Sequence, residues 1–391
     1  MRILFISNFL NHHQKPVADY LYSQLGDGYH FVSCTPMPDV FIKNAGYSSF
    51  EDISYNILYY KNESNKQLVE KLIKEVDAVI MGGIHDEYLI NLRLNTKKLL
   101  LFYSERWHKR IRSYFVLPLR WINGYTYRRF SRFNKENCYM LCSSAYVPND
   151  CRWSFAFKEK TYKWGYFPPF EEVDIEKKLK IKKDREQINI LYTSRFLSWK
   201  HPELAIKAVQ YLHKLGYNVH LTVIGGTFGE DKSSKHLYER CKKIALQTPD
   251  CINFIGVLKN SEVRDRMLNA DVFLFTSDRN EGWGAVLNEA MSSGCACVVS
   301  DSLGASHYLI DNGTNGLLFK NKNIKSLISQ LRKLLDDSEL RLDISKNAYK
   351  TIKCEWSPQI AASRLMQFCD CLIKGKNTPY VSGPCSVAKP I

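Results

Sequence analysis

Short apolar runs of strand length recur along this chain, and each is followed by a polar or glycine-bearing turn and a segment of helical length. RILFIS (Arg2–Ser7), HFVSC near 30, DAVIMGG near 77, KLLLFYS near 98 and YMLCSS near 139 occupy the first part. ILYTS, HLTVIGG (220–226), NFIGV, DVFLFTS (271–277) and CACVVS near 295 occupy the second. Continuous rather than alternating apolar character is what a strand needs when helices cover both faces of its sheet. The β–α alternation therefore predicts doubly wound parallel sheets. No run reaches the ~18–20 apolar residues that span a bilayer. With 391 residues, the prior of roughly 100–200 residues per domain gives about two domains.

The boundary between them is legible as a change of composition. TYKWGYFPPFEEVD (161–174) ends a short strand in Pro168-Pro169 and acids, and KKLKIKKDREQ (177–187) is charged and poorly apolar. Together they read as a connection over 171–187, the expected hinge, with a domain at 1–170 and another at 188–355. EWSPQIAASRLMQFCDCLI (355–373) reads as a C-terminal helix, and the tail from 376 lacks an apolar pattern and is expected to be mobile. MRILFISNFL enters a strand pattern at once and reads as mature sequence, not as a signal peptide. The twelve cysteines form no C-x2-C pair; Cys142, Cys295 and Cys297 sit in apolar runs as small core residues, and a reducing cytosol is the expected setting. The net charge of +15 suits anionic lipid, acidic substrates or nucleic acid, but no nucleic-acid motif accompanies it.

One turn carries the chemistry. In SDRNEGWGAVLNEAMSSG (277–294), a strand runs into Glu281, Gly282, Trp283 and Gly284, and then into a helix with Val286, Leu287, Ala290 and Met291 on its apolar side. A strand, a glycine-rich turn and a helix start together direct free backbone N–H groups at one spot that suits a phosphate. Glu281 and Glu289, spaced Glu-x7-Glu, would repel a phosphate unless they face something neutral and hydroxylated. A sugar nucleotide satisfies both demands.

This stretch resembles the signature of retaining glycosyltransferases of the GT-B fold, family 4 in particular. The resemblance is strong over 188–373 and architectural over 1–170. It implies two Rossmann-like domains facing across a cleft, with the C-terminal helix (356–375) crossing back to the first domain. In the second domain, Arg195 and Lys200 match the family's Arg-x4-Lys element, whose cations hold the donor diphosphate. Two positive groups in a loop at a strand's carboxyl end can also neutralise charge growing on a leaving diphosphate. Glu281 is then the sugar-holding catalytic carboxylate and Glu289 the ribose ligand. Gly282, Trp283, Gly284, Ala285 and Val286 line the donor phosphates. Gly225 and Gly226 allow backbone to approach the ligand, and Gly256, Val257 and Leu258 lie by the base. Gly304-Ala305 and Tyr308 stand where relatives have Gly-Gly and Glu, and DNGTNGLLFK (311–320) matches the family's Asn-Gly-Leu-Leu turn.

The first domain departs more. Where relatives carry Gly-Gly after the first strand, this chain has Asn11, His12, His13, Gln14 and Lys15. Where many keep a histidine after LLLFYS, it has Ser104 and Glu105, with His108 further on. His12, His13, Lys15, Ser104 and Glu105 are the acceptor-side candidates, because open α/β sheets bind ligands at the carboxyl ends of strands. From 106 to 135 the chain has nine Lys or Arg and no acid, Glu105 being the nearest, interleaved with Trp107, Tyr114, Phe115, Trp121, Tyr125, Tyr127, Phe130 and Phe133. Pro118 and Asn123-Gly124 are expected to interrupt it. Such a face suits peripheral contact with an anionic membrane, and equally a solvated surface over core aromatics.

The reading is a nucleotide-sugar-dependent, configuration-retaining transferase acting on a glycan or lipid-linked glycan in surface polysaccharide assembly, without metal or other cofactor, and cytoplasmic or peripheral on the inner membrane face. The rival is a non-catalytic sugar-nucleotide or nucleic-acid binder on a degenerate version of the fold.

Overall fold

The computed structural model describes residues 1–38, 49–83, 86–109, 111–122, 124–227 and 231–391, without the side chains of 111–115. The chain divides into two compact units. Of the described residues, unit 1 takes in those up to Pro169 and the segment from Trp356 to Ile391; unit 2 takes in Phe170–Glu355.

Unit 1 is built on a seven-stranded parallel sheet in the order β3-β2-β1-β4-β5-β6-β7. Its strands are β1 (Ile3–Ser7), β2 (Tyr29–Ser33), β3 (Asn56–Leu58), β4 (Ala78–Gly82), β5 (Leu99–Ser104), β6 (Cys138–Cys142) and β7 (Thr161–Lys163). Every residue of β1 and β4 is buried, the pattern of central strands covered on both faces. The sequence foresees all of these but β3, whose three residues are too few to show a period. Helix Pro358–Ile373 packs on helix Lys15–Leu25, and Ser363 Oγ donates to Tyr20 Oη at 3.2 Å.

Unit 2 has six parallel strands in the order β10-β9-β8-β11-β12-β13. They are β8 (Ile188–Thr193), β9 (Val219–Ile224), β10 (Ile252–Gly256), β11 (Val272–Phe275), β12 (Ala296–Ser300) and β13 (Leu317–Phe319). From β8 the chain first builds outward through β9 and β10, then returns to place β11 against the other side of β8, with Val272 beside Ile190 and Phe273 beside Leu191. This reversal is the switch point at which loops diverge and leave a crevice at the strands' carboxyl ends. Unit 1 reverses in the same way between β1 and β4.

Three expectations are corrected. The charged stretch read as a connection over 171–187 is largely an element of unit 2: Ile175–Lys183 is a helix capped by Asp174, and it packs on helix Ser338–Thr351. Lys182 buries its stem there and donates to the Gly294 carbonyl at 2.7 Å, which is how a long cationic side chain can cover apolar surface. The tail is not loose. Lys163 N donates to Ser386 O at 2.7 Å and Ala388 N to Thr161 O at 2.9 Å, so residues 385–388 pair with the outer edge of β7. Cys385 and Ser386 are fully buried. An edge strand offers unpaired backbone groups to any extended partner, and no apolar period is needed to take them. Finally, Pro118 lies inside helix Ile111–Ile122; the run is divided near left-handed Gly124, after which helix Tyr125–Phe130 begins. Asn123 lies outside the described residues.

Candidate functional site

The reversal in unit 2 sets two loops side by side that are some eighty residues apart in sequence: 194–201 after β8 and 276–285 after β11. The first is fastened by its own backbone. The Lys200 carbonyl accepts from Tyr192 Oη at 3.1 Å and from Thr276 Oγ1 at 2.7 Å, and Thr276 also reaches the His201 carbonyl at 3.0 Å. The Trp199 carbonyl accepts from Asp278 N at 2.8 Å. His201 turns the chain in a left-handed conformation, φ +47°, ahead of helix Pro202–Lys214. Its Nε2 lies 3.1 Å from Asp278 Oδ2, and Lys322 Nζ lies 3.0 Å from the same oxygen. Burial pulls the His201 imidazole down, but its hydrogen bonds to Asp278 and Glu203 outweigh that and raise it to about 9. Burial pushes the Asp278 carboxyl up, yet bonds from His201, Asn280 and Lys322 hold it well below the carboxylate range. This clamp fixes where Lys200 points.

Lys200 Nζ forms a close ion pair with Glu281 Oε2, and both side chains are nearly buried. Burial opposes the Glu281 charge; Lys200, Ser277 and Arg195 reverse that and leave the carboxyl below its ordinary value. Arg195 is exposed at the mouth of the loop and acts on Glu281 through its charge. Of the four charged groups that were expected to converge, these three share one neighbourhood. Glu289 has a different cation beside it, Arg264. It is half-buried on helix Val286–Ser292, and burial raises its carboxyl to about 7 against the opposing charge of Arg264. Arg264 itself donates to the Glu289 carbonyl at 2.7 Å and to Ser292 Oγ at 2.8 Å.

The glycine-rich turn is supported from inside. Trp283 is fully buried, and its Nε1 donates to Asn288 Oδ1 at 2.8 Å. Its indole is thus a fixed prop, not a ligand-facing ring. Gly282 and Ala285 are buried as well, whereas Gly284 and Val286 are half-buried. Gly284 has φ +86°, and a Cβ there would stand 2.6 Å from Phe275 Cζ. Gly225 has φ +126°, and its Cβ would stand 1.9 Å from the Ser194 carbonyl oxygen. The close approach that Gly225 permits is therefore between β9 and the β8 loop, not towards a ligand. Gly226 accepts from Phe196 N at 3.0 Å, and Gly256 accepts from Gly225 N at 2.8 Å. This sets Gly226, Gly256, exposed Val257 and Leu258 along the same edge of the sheet.

Unit 1 has a cavity of about 580 Å³ at the ends of β1, β4 and β5, lined by Asn8, Glu105, Lys109, Arg129, Arg132 and Tyr166 among others. Ser104 and Glu105 line it; Lys15 does not, its ammonium being 2.6 Å from Asp19 on the helix surface. Glu105 accepts from Tyr166 Oη at 2.6 Å and pairs closely with Lys109. The His12 and His13 rings lie 3.6 Å apart at a tilt of 48°, and the His13 ring stacks on Tyr166 at 5.5 Å. Burial lowers His12 to about 4; burial, helped by His12, takes His13 well below its usual value. Both are neutral at pH 7. His108 is buried, with Nε2 3.2 Å from Ser154 Oγ, beside Asp150, which accepts Trp107 N at 2.8 Å. That is a structural role. Sequence reading missed Tyr166, Arg264, His201 and Asp278. Only His201 had a local signal, as the residue between Lys200 and the helix-starting Pro202.

The basic aromatic stretch divides in two. Trp107 stacks on Phe130 at 5.2 Å and Phe133 is buried, so these belong to the interior side. Trp121, Ile122, Tyr125 and Tyr127 are exposed. The side chains of Tyr114 and Phe115 lie outside the described residues. Among the described residues no helix is long and apolar enough to cross a membrane.

Residues 173–351, nearly all of unit 2, match the family described as glycosyl transferases group 1. The chain is 31% identical over 134 residues, 34% of each chain, to the N,N'-diacetylbacillosaminyl-diphospho-undecaprenol alpha-1,3-N-acetylgalactosaminyltransferase of Campylobacter jejuni. It spans between about a third and a half of the length of the first curated relatives it matches, 34% to 47%. Among solved structures, Alr3699/HepE of Anabaena, in complex with UDP and glucose, superposes with a TM-score of 0.62 at 16% identity, over 95% of this chain and 99% of that one. WaaG, a glycosyltransferase involved in lipopolysaccharide biosynthesis, superposes with a TM-score of 0.56 at 15% identity, over 92% and 98%. The fold is GT-B: two Rossmann-like parallel-sheet α/β domains.

Proposed function

We propose that this chain is a glycosyltransferase of family 4 type that moves a sugar from a nucleotide diphosphate sugar to a hydroxyl of a glycan or lipid-linked glycan, with retention of anomeric configuration. The observation that carries the reading is the buried Lys200–Glu281 pair, with Arg195 beside it, held at the switch point of the glycosyl transferases group 1 domain. Arg195 and Lys200 would take the donor diphosphate, so that Lys200 is shared between it and Glu281. Glu281, kept ionised by these cations, would accept sugar hydroxyls and stabilise positive charge at the anomeric carbon. Glu289 would accept the ribose hydroxyls, and the half-buried backbone at Gly284 and Val286 would face the phosphates. The bond from the anomeric carbon to the diphosphate oxygen breaks and its electron pair leaves with the diphosphate. The acceptor oxygen bonds to that carbon on the same face, and its proton passes to the departing diphosphate. The protein's share is to hold these groups in line and to stabilise the leaving charge.

The UDP and glucose bound by the Anabaena protein support a nucleotide-sugar donor. The activity of the Campylobacter relative and the involvement of WaaG in lipopolysaccharide biosynthesis support a lipid-linked or surface-polysaccharide acceptor, met at the cytoplasmic face of a membrane. Glu105 and Tyr166 in the unit 1 cavity would receive the acceptor. A thermal-shift screen against UDP-, GDP- and ADP-sugars, followed by a transfer assay with and without EDTA, tests the proposal. Glu281→Ala is expected to abolish transfer, and EDTA to leave it intact. Donor binding with no turnover in the wild type would instead favour a non-catalytic binder.

A further inference from the structure

We propose that Asp278 is a positioning residue for sugar transfer: with His201 and Lys322 both on one of its carboxylate oxygens, it ties three loops of unit 2 together and keeps Lys200 and Glu281 aligned for the donor. This rests on the transferase reading above and adds what holds its charged pair in place. Asp278 is only 4% exposed. Its Oδ2 meets His201 Nε2 at 3.1 Å and Lys322 Nζ at 3.0 Å, while its Oδ1 accepts from Asn280 N at 2.9 Å and from Asn280 Nδ2 at 2.8 Å. A carboxylate has about four lone-pair sites, so none is left over for a ligand. Asp278 acts through its partners.

Those partners come from well-separated parts of the sheet. His201 belongs to the loop after β8 and Asn280 to the loop after β11. Lys322 belongs to the loop after β13, which lies beyond β12 from β11. His201 directly follows Lys200, and Glu281 N donates to the Asp278 carbonyl at 3.0 Å. One residue thus fastens both members of the pair. The two outer partners also share a strained backbone: His201 has φ +47° and Lys322 φ +59°. Glycine adopts that conformation freely, whereas a residue with a Cβ persists there only where its surroundings hold it. The turns alone ask for glycine; the bonds to Asp278 Oδ2 ask for the side chains. Glu203 stands 3.8 Å from the other ring nitrogen of His201, which leaves Asp278 as the nearer anchor. Asn321 N donates to Asp301 Oδ1 at 2.9 Å, so Lys322 is presented to Asp278 from an anchored segment.

The test follows nucleotide release by the full chain from whichever UDP-, GDP- or ADP-sugar most raises the wild-type melting midpoint. Misalignment of a held group costs rate more than affinity, so Asp278→Asn should lower kcat about tenfold or more and move the donor KM less than about threefold. His201→Gly and Lys322→Gly each remove one contact while relieving the backbone, and each should lower kcat several-fold; they also cover an Asp278→Asn chain that does not fold. Lys97→Gly, at φ +58° on an exposed turn, shows what relief of strain does alone and should keep the wild-type kcat. A calorimetric cycle needs no substrate. Lys200→Met should lower the melting midpoint by at most about half as much in Asp278→Asn or His201→Gly as in the wild type, because the pair is already slack there. Wild-type kcat in both clamp glycine variants would overturn the proposal. So would a change confined to KM, which would make the cluster part of the donor's own binding surface, or an equal cost of Lys200→Met in every background. If the wild type neither binds nor turns over a nucleotide sugar, the transferase reading fails and the cycle alone decides the clamp.

Discussion

Replacing Lys200 by Met removes one member of a pair whose side chains are only 10% and 13% exposed. Breaking a buried pair from one side costs about 3–5 kcal/mol, because the remaining charge stays out of water without a partner. Arg195 still acts on Glu281, which puts the expected loss at the lower end, about 3 kcal/mol. For a unit of this size, 1 kcal/mol moves the melting midpoint by roughly 2–4 °C, so K200M should melt about 6–12 °C below the wild type. The double variant K200M/E281Q removes both charges and should recover at least half of that loss, since a neutral pair of similar volume avoids the desolvation cost. Neither variant should respond to a nucleotide sugar. The pH dependence gives a second reading. In the wild type the Glu281 carboxyl is held below its ordinary value, so its stabilising contribution is present above that ordinary range and fades as pH falls through the lowered value. Without Lys200, burial has lost its main opponent, and the deficit of K200M should be larger at pH 8 than at pH 5. Differential scanning calorimetry decides it. A K200M melt within 2 °C of the wild type, or a double variant melting below K200M, would refute the assignment of the pair as buried and mutually compensating.

Glu289 gives the opposite sign. Its folded value of about 7 lies above the ~4.3 of an unfolded glutamate, so the folded state holds the extra proton and stability falls as pH rises between these values. Relative to the wild type, Glu289→Gln should therefore gain in melting midpoint from pH 5 to pH 8 while donor affinity drops. Gly284→Ala combines a positive φ with a Cβ 2.6 Å from Phe275; an equilibrium melt should show a loss of about 2 kcal/mol or more. Deleting residues 385–391 uncovers the outer edge of β7, and light scattering should then report self-association at concentrations where the full chain stays dispersed.

Much of this molecule was readable from residue order alone. Long unbroken apolar runs can be satisfied only by strands covered on both faces, so the parallel sheets and their sequence of elements followed directly. The glycines at 282 and 284, next to Glu281, announced a turn after a strand, and at 284 the φ of +86° is one that few other residues tolerate. What residue order could not supply is adjacency across the sheet. Lys200 and Glu281 meet because β11 returns to lie beside β8, and Asp278 finds His201 and Lys322 through the same fold. Trp283 reads in the sequence only as part of the turn beside the donor phosphates, and packing alone shows where its ring goes: inward, onto Asn288. The tail reads as loose because hydrogen bonding to a sheet edge uses backbone groups, which every sequence carries and none advertises. A chain's local pattern decides what each segment becomes. Which charges end up sharing a buried space, and hence which of them are perturbed enough to do chemistry, is decided only when those segments pack.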